Sequence, residues 1–255
     1  MRSRLGNKKW FVAVLGCAAV IFFAFFSGVL PMNELVFVLN PTAARAFTVG
    51  DYYFNTEGRG EYNLEKARGY YERALELDPQ TLAAWHQLAR IDFLQGNFSK
   101  ALAEINTQIE LHGDAVSGSY YVRGLIHGYR KEFTAAEVDF KKYLLLHPKS
   151  WGVYNDLSWI YFQEGNFSEA ADIAREGLAL RPNNAWLLTS YGVSLMNLGR
   201  KEEARSVLEK ALLEARALTP QAWSHNNPGN DPRIAEEGLR QMIAVIDQNL
   251  ITLTR

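Results

Sequence analysis

The apolar positions of the chain recur with a long period. Ala67, Ala101, Ala136, Ala170 and Ala204 stand 34, 35, 34 and 34 residues apart. Tyr71, Ile105, Phe140, Ala174 and Leu208 form a second apolar column, and Leu75, Ile109, Leu144, Leu178 and Leu212 a third. Small residues recur at Ala89, Gly124, Ser158 and Gly192, and Gly96, Gly165 and Gly199 mark one turn of the period. Within a period the apolar spacing is three or four residues, in two runs, which is the helical signature. Trp151 to Phe162, Gly165-Asn166, Phe167 to Leu180 and Pro182 read as helix, tight turn, helix, stop. A column of small residues lets the two helices of a hairpin approach closely. Neither helix can bury its face alone, so successive hairpins must stack on a shared core.

This pattern predicts an all-α solenoid of five hairpins over 48–218, divided as 48–81, 82–116, 117–150, 151–184 and 185–218. The first is irregular. Asp51-Tyr52-Tyr53-Phe54 opens a helix that Gly58-Arg59-Gly60 interrupts, as suits a terminal unit. Residues 219–233 are dense in turn formers and read as a loop. A last helix over 234–255 carries an apolar stripe that includes Leu239, Met242, Ile246 and Leu253. It either caps the stack or folds into the molecule's own groove or onto a partner.

The front end is different. No charged residue falls between Lys9 and Glu34, and residues 10–31 are apolar almost throughout. As a helix this run reaches about 30 Å, the thickness of a bilayer core. Arg2, Arg4, Lys8 and Lys9 precede it, within a basic segment 1–9, and the next basic residue is Arg45. The positive-inside rule then places the N-terminus in the cytoplasm and the rest across the membrane. An uncleaved signal anchor competes with a cleaved signal peptide, for which Ala44-Arg45-Ala46 is the small-x-small candidate, and with a lipoprotein signal at Cys17. The length of the run favours the anchor. Residues 32–47 form a connector, whose Leu35–Leu39 stretch extends the membrane helix, lies at the interface or packs on the first hairpin.

Composition narrows the function. A formal charge of −1, from 27 basic and 28 acidic residues, argues against a nucleic-acid partner. The lone Cys17 excludes an intrachain disulfide. The five histidines, His86, His112, His127, His147 and His225, show no metal-ligand spacing, and there is no phosphate loop or nucleophile elbow. No cofactor, metal or catalytic residue is expected. Asn97-Phe98-Ser99 and Asn166-Phe167-Ser168 match the N-glycosylation pattern, but both stand at the turn, where Asn also serves as a helix N-cap.

The motifs resemble the tetratricopeptide repeat family. The second repeat carries Trp85-His86-Gln87-Leu88-Ala89, Ala101 and Ile105. The fourth carries Tyr154, Leu157, Ser158, Tyr161, Gly165, Phe167, Ala170 and Pro182, and the fifth Tyr191-Gly192, Gly199, Ala204 and Ala211. The resemblance implies a right-handed superhelix, here preceded by one transmembrane helix, whose first helices line a concave groove. That groove would present His86, Arg90, Phe93, Tyr121, Leu125, Tyr129, Asn155, Trp159, Phe162, Trp186 and Thr189. So aromatic a face points to a protein or peptide partner. A lysine-based carboxylate clamp, as in chaperone-binding members, does not fit these residues. Stacking of sugars on Trp159, Phe162 and Trp186 is a rival reading with no convergent polar cluster behind it.

The expected protein is thus a membrane-anchored scaffold at a bacterial inner membrane, with its solenoid on the periplasmic side. The alternative is a permanent subunit of a larger membrane complex. The topology predicts that protease added to intact spheroplasts digests the chain beyond Leu30; full protection would place the solenoid in the cytoplasm.

Overall fold

The computed structural model describes residues 31–54, 61–227 and 230–254. The basic segment 1–9 and the apolar segment 10–31, except Pro31, lie outside them. Among the described residues no helix is long and apolar enough to cross a membrane, and all regular structure there is helical. A short α1 (Met32–Leu39) precedes a hairpin of α2 (Ala43–Phe54) and α3 (Leu64–Leu77). Three further hairpins follow: α4 (Ala84–Leu94) with α5 (Phe98–His112), α6 (Gly118–Tyr129) with α7 (Phe133–Leu146), and α8 (Trp151–Gln163) with α9 (Phe167–Leu180). The last pairs α10 (Ala185–Asn197) with α11 (Lys201–Ala217), and α12 (Pro220–Asn226) and α13 (Ala235–Leu253) complete the chain.

Small residues set the spacing of each hairpin. All five alanines of the 34-residue column are fully buried. A Cβ added to Gly124 would lie 2.7 Å from the Phe140 ring, and one at Gly192 2.6 Å from Leu208. In these two hairpins the first helix therefore offers a hollow that the second fills, with a ring in one and a leucine in the other. The equivalent hollow of the first hairpin is Gly50, beneath Tyr71 at 2.6 Å. It falls out of register with the others because residues 55–63 separate α2 from α3, where 95–97 suffice between α4 and α5.

The turns share one chemistry. Gly96, Gly165 and Gly199 take φ of 77°, 81° and 74°, and the next amide closes back on the helix: Asn97 N–H to Asp92 O at 2.8 Å, Asn166 N–H to Tyr161 O at 2.8 Å. This is the left-handed helix stop that glycine favours. In the third hairpin Lys131 occupies that place, with φ of 61°.

Three expectations need correction. The first hairpin begins at Ala43, not 48, and the connector 32–47 is largely helical. Its α1 packs on the first hairpin: the Phe37 ring meets Tyr70 edge-on at 5.6 Å, and Glu34 accepts hydrogen bonds from the hydroxyls of Tyr53, at 2.7 Å, and Tyr70. Residues 219–233 are not all loop. Thr219 Oγ1 accepts the Ala222 N–H at 3.1 Å and Pro220 opens the first turn, which starts α12 before the turn formers begin. Asn97 and Asn166 stand at helix N-termini without capping them. Asn97 Nδ2 instead donates to Asp92 at 3.0 Å, and Asn166 Nδ2 to Glu164 at 3.3 Å.

A buried polar cluster joins the first two hairpins. Asp92, 1% exposed, lies 2.9 Å from Arg68 and 3.1 Å from Lys100. Burial works against its charge, but hydrogen bonds from Arg68, Asn97, Glu104 and Lys100 hold it below the usual carboxylate range. Burial and the neighbouring Asp92 push Glu104 the other way, so it keeps its proton. The two carboxyls thus carry one negative charge between two cations.

An L-residue in the left-handed region is strained where glycine is not. Lys131→Gly is expected to raise stability by about 0.5–1 kcal/mol, read as a higher thermal midpoint, whereas glycine at an exposed mid-helix site lowers it by a similar amount.

Candidate binding groove

The first helices of the hairpins, α4, α6, α8 and α10, line a groove floored by aromatic rings. Phe93 meets Tyr129 edge-on at 5.2 Å, Tyr129 lies 5.4 Å from Trp159, and Trp151 lies 5.9 Å from Trp186. Gly128 makes this floor possible. A Cβ there would come within 2.8 Å of Trp159, so only glycine lets the indole lie against α6. Tyr129 remains 55% exposed, a large ring presented to whatever enters.

Two cavities occupy the groove, of about 730 and 430 Å³. His86, Arg90, Phe93, Tyr121, Leu125, Tyr129, Asn155 and Trp186 line the smaller. Leu125, Tyr129, Asn155 and Trp186 also line the larger, together with Trp159 and Thr189. Phe162 lines neither. It sits in the last turn of α8 and packs on Phe167 across its own hairpin turn, at 5.2 Å.

Asp156 was not among the residues singled out from the sequence, yet it lines both cavities. The Tyr121 hydroxyl donates to its Oδ2 at 2.7 Å and Asn155 Nδ2 to its Oδ1 at 3.4 Å. Burial nevertheless raises its pKa to about 6, the two hydrogen bonds opposing only part of that effect. Among the described residues no cation pairs with it. The available signal was its repeat column, where Gln87, Val122 and Ser190 are its uncharged equivalents.

The other end of the groove is cationic. Arg90 donates from Nη1 to Gln87 Oε1 at 2.8 Å and lies over the Phe54 ring at 4.5 Å. Burial, and then the Arg90 charge, push the His86 imidazole down to about 3, so it stays neutral, 3.1 Å from Ser119 Oγ. Side-chain bonds stitch neighbouring first helices together along this face. Gln87 reaches Asp51 at 2.9 Å, Tyr121 reaches Asp156, and Ser190 reaches Asn155 at 3.0 Å.

The C-terminal segment both caps the stack and walls the groove. Ile246 and Leu253 of α13 share a core with Leu208, Ala211 and Ala215 of α11. Trp223 of α12 packs with Ala235, Leu239 and Trp186, its indole seated over Gly238, where no side chain would fit. Glu237, Gln241, Met242 and Val245 complete the larger cavity, and Asn226, Asn227 and Asn230 the smaller. Beyond them Asp231 and Arg233 act electrostatically on Tyr62 of the first hairpin, whose pKa is raised mainly by burial. Asn226, Asn227 and Asn230 thus line the smaller cavity together with His86 and Arg90 of the second hairpin.

Family models described as tetratricopeptide repeat match residues 59–117, 121–185 and 161–224, together more than half of the chain. The chain belongs to the tetratricopeptide repeat family. It is 26% identical over 156 residues to tetratricopeptide repeat protein 6 of Homo sapiens, covering 61% of this chain and 29% of that protein. It is 26% identical over 119 residues to anaphase-promoting complex subunit 3 of Schizosaccharomyces pombe, covering 47% of this chain and 18% of that one. The chain thus spans less than a third of either relative. Among solved structures it resembles MamA from Desulfovibrio magneticus RS-1, with a TM-score of 0.61 and 13% identity over 70% of this chain and 97% of that one. It also resembles YrrB, described as a TPR protein with an unusual peptide-binding site, with a TM-score of 0.57 and 17% identity over 72% of this chain and 92% of that one. These structural likenesses concern the fold.

Asp156 is held at a cost to stability. Its folded pKa is raised above the unfolded value near 3.8, so its contribution is most favourable below that value and is lost as pH rises to about 6. Asp156→Asn is expected to stabilise the fold above about pH 6, by about 1 kcal/mol after allowance for partial exposure, and not at about pH 4. Thermal melts of the two proteins at both pH values check this.

Proposed function

We propose that the chain is a membrane-anchored adaptor that grips a protein or peptide segment in this groove. The observation that carries the reading is the floor of rings from Phe93 through Tyr129 to Trp159, open to two cavities large enough for side chains. Aromatic anchors in concave, partly desolvated sites dominate binding energies between proteins. Tetratricopeptide repeat proteins bind protein or peptide partners.

Anchoring rests on the sequence of residues 10–31 and on what adjoins it. Met32, Val38 and Leu39 of α1 are 54%, 50% and 65% exposed, an apolar surface next to the apolar run. With the basic residues at 1–9 this supports a cytoplasmic N-terminus and a solenoid on the far side of a bacterial inner membrane. The role is then assembly or maintenance of an envelope or membrane complex.

A second reading, a permanent subunit, is favoured by one observation. The C-terminal segment already walls part of the groove, and relatives include a subunit of the anaphase-promoting complex and a member of the BBSome. A photocrosslinker in place of Trp159, activated in native membranes, separates the two. The adaptor should yield a discrete foreign protein, whose adduct excess peptide from that protein prevents when added before irradiation. An adduct that no such peptide prevents would establish the subunit, and adducts with Ala235–Leu253 alone would refute an open groove.

A further inference from the structure

The junction of the two cavities is chemically unlike the rest of the groove. Asp156 stands there, with Leu125, Tyr129 and Trp186 bordering both spaces. A largely buried carboxylate with no cation, in cavities lined by Tyr129, Trp159 and Trp186, is an incomplete ion pair. Hydrogen bonds from Tyr121 and Asn155 fix its oxygens without neutralising it. The ring faces carry negative potential and attract a cation as the carboxylate does. Arg90, which lines the smaller cavity, has the Asp51 carboxylate within electrostatic reach, so Asp156 is the carboxylate left without a cation in this groove.

We propose that this junction is a specificity pocket for a lysine or arginine side chain carried by an otherwise apolar peptide, with the cation on Asp156 and the methylenes along Tyr129 and Trp186. Long basic side chains suit such a place, because an apolar stem ends in a charge. The inference rests on the groove being a peptide site, and it names the partner's chemistry: a basic residue set among aliphatic or aromatic ones.

Binding through this pocket depends on pH. A peptide cation needs the carboxylate ionised, and the free site titrates near 6. The groups facing it are Tyr121 and Tyr129 from α6, Glu237 from α13, and Arg90 and His86 from α4 across the smaller cavity. From α10 come only the uncharged Trp186, Thr189 and Ser190. His86 stays neutral and Tyr121 protonated through the mildly acidic range. Affinity should therefore fall about tenfold between about pH 7 and about pH 5.

The test is selection from a random peptide library displayed on phage, against the full chain and its Asp156→Asn variant, with the variant's fold checked by melting. The wild-type chain should retain peptides with lysine or arginine recurring at one position among apolar residues, and the variant apolar peptides without that preference. A selected peptide whose lysine is replaced by norleucine gives a second measurement on the wild-type fold. The replacement should weaken binding about tenfold to wild type and little to the variant, the coupling expected of groups in contact. The pH dependence should vanish in the variant. Selection of apolar peptides with no basic position, or equal loss on both proteins, overturns the pocket and leaves the groove standing. Failure of the wild-type chain to retain any peptide overturns both.

Discussion

The hairpins depend on small residues where their two helices cross, and in three of them a glycine on the first helix faces a bulky residue on the second. Gly50 under Tyr71, Gly124 under Phe140 and Gly192 under Leu208 admit no Cβ, and the alanine column opposite is fully buried. Close packing leaves little freedom in how the two helices cross. With that fixed, the same face of every first helix points inward, and His86, Tyr121 and Asn155 arrive in one row although whole repeats separate them. The shape of the groove follows from atoms that never touch it.

The inner face departs from the apolar logic of the hairpins. Neighbouring first helices are joined there by side-chain hydrogen bonds, Gln87 to Asp51 and Ser190 to Asn155 among them. Such bonds contribute little net stability, but a missing partner is costly, so they fix register between repeats. They also leave one carboxylate without a cation, Asp156 near the middle, whereas Arg90 has Gln87, the Phe54 ring and Asp51 around it. A groove built only of rings would offer no preference between apolar and charged segments; a lone carboxylate does.

Much of this was legible in the sequence because repetition averages out local ambiguity. The second, fourth and fifth hairpins turn at Gly96, Gly165 and Gly199, the fourth ends just before Pro182, and ten of the eleven residues assigned to the concave face line its cavities. Phe162 escapes because it sits in the final turn of α8, where the Phe167 ring of its own hairpin is nearer than the groove. The ends of the solenoid were less readable. Ala43–Phe54 lacks a periodic neighbour to align with, and the longer link at 55–63 shifts Gly50 out of its column. Asp156 went unnoticed because its neighbours in space, Tyr121 and Trp186, lie a repeat away on either side, and an acidic residue within a helix ordinarily faces solvent. The place of Trp223 follows from a contact with Trp186 that no period encodes.

A solenoid whose units touch only their neighbours behaves as a spring, and small changes at each interface add up to large changes in pitch. The segment after the fifth hairpin stiffens the last turns of that spring, where Ile246 and Leu253 share a core with Leu208 and Ala215 and Trp223 packs with Ala235 and Leu239. Widening the bore at that end means parting these contacts, whereas the turns toward the first hairpin flex one interface at a time.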